Sequence, residues 1–319
     1  MRSSIALGIL LAVAAAGPAF AVAGVYDANQ KVSLSPAIAL DGDDIYVVWA
    51  RLERMLKIGR FTLSPVHGGE AHLQASLALT SRTNDPFAMV LGDGAIILAF
   101  VDYRTGKAEL LRYKLKGKDE FDRSDSRSTQ VRSRGGVSLA YEDRRLYLGY
   151  TDAEEDVVKV VSYKVSRKGR LSRENERKLT ECDTVVGSSI AVYEGKLIAA
   201  WVDSAEKFML SAYGVEKSSK GPSYRHLKDT RTEIRVREEP MDKPALAIAD
   251  GEVCLGYVDR NDRTAHVKFY TLAEDGSLRS VGETRVNERP AEPVNVAASA
   301  DKVYVAMVDE NKRLLIAEQ

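Results

Sequence analysis

The chain has 319 residues, 45% of them hydrophobic and 29% charged, with 46 basic against 46 acidic side chains and no net charge. This composition excludes a disordered or collagen-like chain, and the balanced charge argues against a nucleic-acid partner, whose phosphates call for a basic excess. Two cysteines cannot staple so long a chain, so a hydrophobic core must do the folding.

At the N-terminus, Arg2 precedes an uncharged apolar run from Ile5 to Ala16, which ends in Gly17-Pro18 and the small-x-small sequence Ala19-Phe20-Ala21. That order is the layout of a secretory signal peptide, and it predicts a leader over residues 1–23, cleaved after Ala21 or Ala23. Export to the periplasm or beyond the cell follows, with residues 24–319 as one mature domain. No later run reaches the roughly 18 apolar residues of a membrane span.

The rest of the chain repeats. An apolar run closes on one column of residues: Tyr46-Val47-Val48-Trp49-Ala50-Arg51, Ile97 to Asp102, Tyr147 to Asp152, Ile198 to Asp203, Cys254 to Asp259 and Tyr304 to Asp309. The end positions 51, 102, 152, 203, 259 and 309 are separated by 51, 50, 51, 56 and 50 residues. Each run follows a short strand with a small or prolyl entry, such as Pro36-Ala37-Ile38-Ala39-Leu40 or Pro244-Ala245-Leu246-Ala247-Ile248, and an acidic-glycine turn such as Asp41-Gly42 or Asp250-Gly251. A third strand ends on an aromatic (Phe61, Tyr113, Tyr163, Tyr213, Tyr270), and a more polar fourth strand follows.

Six units of four short strands predict an all-β fold, a six-bladed β-propeller with four-stranded antiparallel blades. The sixth unit runs out of chain after three strands. The missing one is expected from the N-terminus, where Lys31 to Pro36 resembles the fourth-strand ends Arg285 to Pro290 and Arg235 to Pro240, so that the last blade is closed by the N-terminal strand. Side chains two apart share a face. Trp49, Phe100, Tyr150, Trp201, Tyr257 and Met307 therefore face one way and the small residues Val48, Ala99, Gly149, Ala200, Gly256 and Ala306 the other, a pattern that reads as interlocking core and not as a sugar-stacking platform.

In a propeller the second strand ends on the face that carries the connections between blades, a common ligand-binding face. Asp102, Asp152, Asp203, Asp259 and Asp309, with Arg51 in the sixth place, are therefore the candidate ligand-binding residues. A broken carboxylate ring there suits Ca²⁺ or a cationic group. The simpler reading is that each Asp opens a tight turn by accepting its own backbone amides, and it requires no cofactor. Arg51 is expected to pair with a neighbouring Asp. The segment His67, Glu70, His72 carries two histidines five apart on a loop with no further His near, a poor metal site. His226 and His266 read as solvent-facing or packed, and Cys182 and Cys254 as free thiols too far apart to pair.

The repeat Pro36-Ala37-Ile38-Ala39-Leu40-Asp41-Gly42 with Tyr46 to Ala50, echoed at Pro244 to Gly251 with Cys254 to Asp259, resembles repeats of sialidase-like six-bladed propellers of exported bacterial proteins. The resemblance covers all six units and implies the fold. The Asp-box Ser-x-Asp-x-Gly-x-x-Trp and the early Arg-Ile-Pro of that family are absent, so its arginine triad, Tyr-Glu pair and catalytic Asp are placed on no residue here. Short connections such as Ser81 to Asp85 and Arg289 to Glu292 suit recognition better than catalysis. The expected function is thus a monomeric, non-catalytic propeller binding a protein or carbohydrate ligand on one face. A divergent glycoside hydrolase and a structural module of an envelope assembly are the alternatives.

Overall fold

The computed structural model describes residues 24–64, 70–117, 119–180, 184, 186–203, 207–218, 221–235, 243–259 and 262–319, with the backbone alone over 230–235. The expected leader, His67 and Cys182 lie outside the described residues. A first strand, β1 (Gly24–Lys31), precedes the repeats. The first unit holds β2 (Ala37–Asp41), β3 (Asp44–Ala50), β4 (Met55–Ser64) and β5 (Glu70–Arg82); the second β6 (Ala88–Gly92), β7 (Ala95–Val101), β8 (Ala108–Lys116) and β9 (Glu120–Ser128). The third holds β10 (Ser133–Glu142), β11 (Arg145–Asp152), β12 (Val158–Val165) and β13 (Leu171–Lys178); the fourth β14 (Ser189–Tyr193), β15 (Lys196–Val202), β16 (Lys207–Glu216) and β17 (Ser223–Arg235). The fifth holds β18 (Ala245–Ala249), β19 (Glu252–Asp259), β20 (Thr264–Leu272) and β21 (Leu278–Val286); the sixth β22 (Asn295–Ala298), β23 (Val303–Val308) and β24 (Arg313–Glu318).

The chain is an all-β propeller with four-stranded antiparallel blades. Units two to five each form a separate four-stranded sheet, whereas the first and last are joined in one eight-stranded sheet ordered β2-β3-β4-β5-β1-β24-β23-β22. Where six four-stranded blades were expected, four stand as sheets of their own and the other two units are fused at an edge. The cause is an edge contact: β5 and β1 are the outermost strands of their groups, and a single parallel pair, Asp27 with Glu70, joins them.

The N-terminal strand does pair with the last unit, but its register differs from the expected one. The strand is Gly24–Lys31, antiparallel to β24 from Gly24↔Glu318 to Lys31↔Arg313, with a bulge between Asp27 and Lys31. Asn29 sits at the bulge with φ 50°, a left-handed conformation that Asn tolerates. The segment expected as the strand, residues 32–36, is instead the connection into β2. Val32 N donates to Lys312 O and Ser33 N to Ala50 O, both at 2.9 Å, before Pro36 ends the pairing.

Second strands are buried over their whole length in β3, β7 and β23, which is why they read as continuous apolar runs. Six buried clusters form among the described residues, and each is shared by two consecutive units, the last joining the sixth to the first. Trp49, Phe100, Tyr150, Trp201, Tyr257 and Met307 all lie in the cluster their unit shares with the preceding one. The small column does the reciprocal work: a Cβ on Gly149 would press into Ile190, and one on Gly256 into Val296, both from the next unit's first strand. Cys254 is a free thiol in this core, and burial pushes its pKa up to about 12.

Candidate functional site

The first strands touch one another in a closed cycle, β2 to β6, β10, β14, β18, β22 and back to β2. They enclose a cavity of about 260 Å³ lined by residues of all six units. The start of each first strand lies beside the end of the second, as the pairs Ala88↔Ala99 and Thr83↔Asp102 record. The end of the cavity at the first-strand starts and the Asp column therefore share a face.

The column's carboxylates are held mainly by their own turns. Asp102 Oδ1 accepts from the amides of Arg104 and Thr105 at 3.1 and 3.0 Å, and Asp152 Oδ1 accepts from Glu154 and Glu155, both at 2.9 Å. Asp203 Oδ1 accepts from Lys207 N at 2.9 Å, and Asp309 Oδ1 from Arg313 N at 2.7 Å. Asp259 uses its backbone carbonyl, which accepts from Arg263 N at 2.7 Å. Second oxygens are spent on cations in two units: Lys159 Nζ lies 3.0 Å from Asp152 Oδ2, and Arg313 Nη2 lies 2.7 Å from Asp309 Oδ2. Burial opposes ionisation of Asp152 and Asp309, but turn amides and the adjoining cation outweigh it and lower both pKa values.

Arg51 departs from its expected pairing. Its guanidinium is exposed and reaches Glu53 of its own turn at 3.5 Å rather than a neighbouring column residue. The turn is closed by Arg51 O accepting from Arg54 N at 2.7 Å, so a residue without a carboxylate makes the same hairpin through its backbone. The column thus stands as one turn per unit. Among the described residues no group of three His, Cys, Asp or Glu could hold a metal. Glu70 and His72 open β5 with exposed side chains.

Two groups escaped the sequence reading. The first is His266, whose ring stacks on Tyr257 with centroids 5.3 Å apart and planes at 24°. One ring nitrogen lies 2.9 Å from Glu283 Oε1 and the other 3.2 Å from Asp262 Oδ2, while Tyr257 donates to the same Glu283 oxygen at 2.6 Å. Burial alone would lower the imidazole's pKa, but these two carboxylates outweigh it and the net shift is upward. Asp262 falls to about 2: burial opposes this, and the hydroxyl and amide of Thr264 with His266 overcome it. Isolation in sequence hid this cluster, because Glu283 reaches His266 only across the β20–β21 pairing. His226, by contrast, is exposed beside Asp229 at 2.9 Å.

The second is Lys243, the only charged side chain among the described residues lining the cavity. Its ammonium donates to Val137 O, and burial pushes its pKa down to about 7. Aligning the six units on their first strands would have exposed it as one charged residue in a column of small and prolyl ones.

No protein-family model matches the chain, and no curated protein does. Solved structures that resemble it are β-propeller proteins. A mutant of the Aleuria aurantia lectin in complex with α-methyl-L-fucoside superposes with a TM-score of 0.59 at 10% identity, over 91% of this chain and 93% of that one. The SapL1 lectin in complex with α-methyl fucoside gives 0.57 at 11%, over 87% and 89%. AofleA from Arthrobotrys oligospora gives 0.59 at 8%, over 92% and 84%. At these identities the likeness is one of fold.

Proposed function

We propose that the protein is an exported, monomeric, non-catalytic six-bladed propeller that binds a carbohydrate on the face bearing the Asp turns, residues 1–23 being its cleaved leader. Counting the eight-stranded sheet as two blades in edge contact gives six, a count supported by the closed cycle of first strands. The sialidase-like character of the repeats concerns their strand pattern alone. The observation that carries the binding reading is the state of the carboxylates. Glycoside hydrolysis needs two carboxyl groups facing each other about 5–10 Å apart across a bond, whereas here the carboxylates of Asp102, Asp152, Asp203 and Asp309 are each engaged in the turn of a separate unit. Asp102, whose Oδ1 caps its turn, keeps Oδ2 for a sugar hydroxyl. The fucoside complexes of the lectins with this fold make α-methyl fucoside the first probe.

The test is a thermal-shift panel of saccharides, led by α-methyl fucoside, with Ca²⁺ and with chelator. A ligand at a hundred times its Kd adds about 2.7 kcal/mol of stability, which raises the melting temperature by several degrees. Binding without release of reducing sugar is the expected result. Release that disappears on Asp→Asn substitution in the column would replace this reading with a hydrolase, and no shift with any saccharide would turn it towards a protein ligand.

A further inference from the structure

Two residues before the paired positions Ala37, Ala88, Ser138, Ser189, Ala245 and Asn295, the six units carry Ser35, Pro86, Gly136, Gly187, Lys243 and Pro293. The two units that precede Lys243 in the ring carry glycine there. A Cβ on Gly187 would run into the carbonyl of Gly135 and lie 3.3 Å from Lys243 Cδ. The lysine stem therefore lies over Gly187, and its ammonium ends on Val137 O. A side chain rooted in the fifth unit crosses the fourth and is anchored on the third, across the mouth of the cavity.

An ammonium carries three protons and Val137 O takes one. No carboxylate among the described residues pairs with it, and a half-buried cation without a counterion carries a free-energy cost that an anion would recover in part. On the wall of the same cavity, Ser189 Oγ accepts from Leu246 N at 3.1 Å and keeps its own proton for donation. Ser35, Ser138, Tyr141 and Asn295 also line the cavity, among aliphatic residues of the first strands. One cation, a few neutral hydroxyl and amide groups and aliphatic side chains between them suit a small monoanion with an apolar body; a phosphate dianion asks for more positive charge.

We propose that the central cavity binds a small organic carboxylate, with its carboxylate on Lys243 and Ser189 and its apolar body along the first strands. This site opens on the same face as the proposed saccharide site but is lined by none of the Asp column, so binding of benzoate and binding of a saccharide are scored separately. With the amine's pKa near 7, binding takes up a proton. The other titratable residue among the described lining is Tyr141, whose hydroxyl donates to Asp93 and whose pKa is raised by burial and that carboxylate.

The experiment is titration calorimetry of the purified protein with benzoate, with its neutral isostere benzamide and with inorganic phosphate, in two buffers of different ionisation enthalpy. Benzoate is expected to bind with proton uptake and to weaken as pH rises from about 6 to about 8.5, as the free amine loses its charge. Benzamide and phosphate should bind at least about tenfold more weakly, and Lys243→Met should lose a similar factor for benzoate. Equal binding of benzoate and benzamide, unchanged benzoate affinity in Lys243→Met, or no benzoate binding at millimolar concentration would overturn the proposal. Should Lys243→Met fail to fold, the isostere pair on the unaltered protein still decides.

Discussion

At the scale of single residues, the Asp column separates turn chemistry from ligand chemistry. Asp309 is buried and holds both the amide and the guanidinium of Arg313, so Asp309→Asn, which keeps the shape and removes the charge, should cost about 1–3 kcal/mol in urea unfolding. Asp102 caps its turn through amides that an Asn oxygen can also accept, so Asp102→Asn should stay within about 0.5 kcal/mol. A loss of saccharide binding in Asp102→Asn at unchanged stability would assign it to the ligand. Linkage adds a sign for Asp309: with its folded pKa lowered, its stabilisation is present above the unfolded carboxylate pKa and is lost as pH falls through the folded value. His266 has the opposite sign. Its raised folded pKa means that the stabilisation is complete below the unfolded histidine pKa and is lost as pH rises through the folded one. The stability advantage of the unaltered protein over His266→Gln should therefore be larger at about pH 5.5 than at about pH 8.5, measured by urea unfolding at both; an advantage independent of pH would mean that packing on Tyr257 is all the ring supplies.

At the scale of elements, β1 is the strand whose placement matters most, since it joins the two ends of the chain. Tyr26 is 5% exposed, lies in the cluster shared by the sixth and first units and donates to Glu318 Oε2 at 3.3 Å. Tyr26→Ala should cost about 3–5 kcal/mol, the range for emptying a large aromatic site. If instead the denaturation midpoint barely moved, β1 would be a dispensable edge strand and closure would rest on the inner strands. The sequence placed this strand seven residues too late, starting at Lys31 instead of Gly24, because its similarity to other fourth-strand ends was read from local pattern. What moved it was packing: Val32 is fully buried and its amide is taken by Lys312 O, so the segment turns inward towards β2.

For the whole molecule, stability comes from interfaces between neighbouring units, as in repeat proteins generally, but here the cluster between the sixth and first units leaves no terminal interface open. The repeat spacing, the strand sequence within each unit and the large-small alternation of Trp49 to Met307 against Gly149 and Gly256 were all legible, because burial on both faces imposes continuous apolar second strands and a fixed period. So was the turn chemistry of Asp102, Asp152, Asp203 and Asp309, which depends on contacts within a few residues. The tertiary structure alone decided that the first and last units share an edge through Asp27 and Glu70, that His266 meets Glu283 and that Lys243 lies across the cavity mouth. These contacts join residues brought together by ring closure, strand register and the space left by glycines in neighbouring units. A linear pattern fixes what each strand buries on its own faces, but which polar groups meet is set by how the units are stacked around the axis.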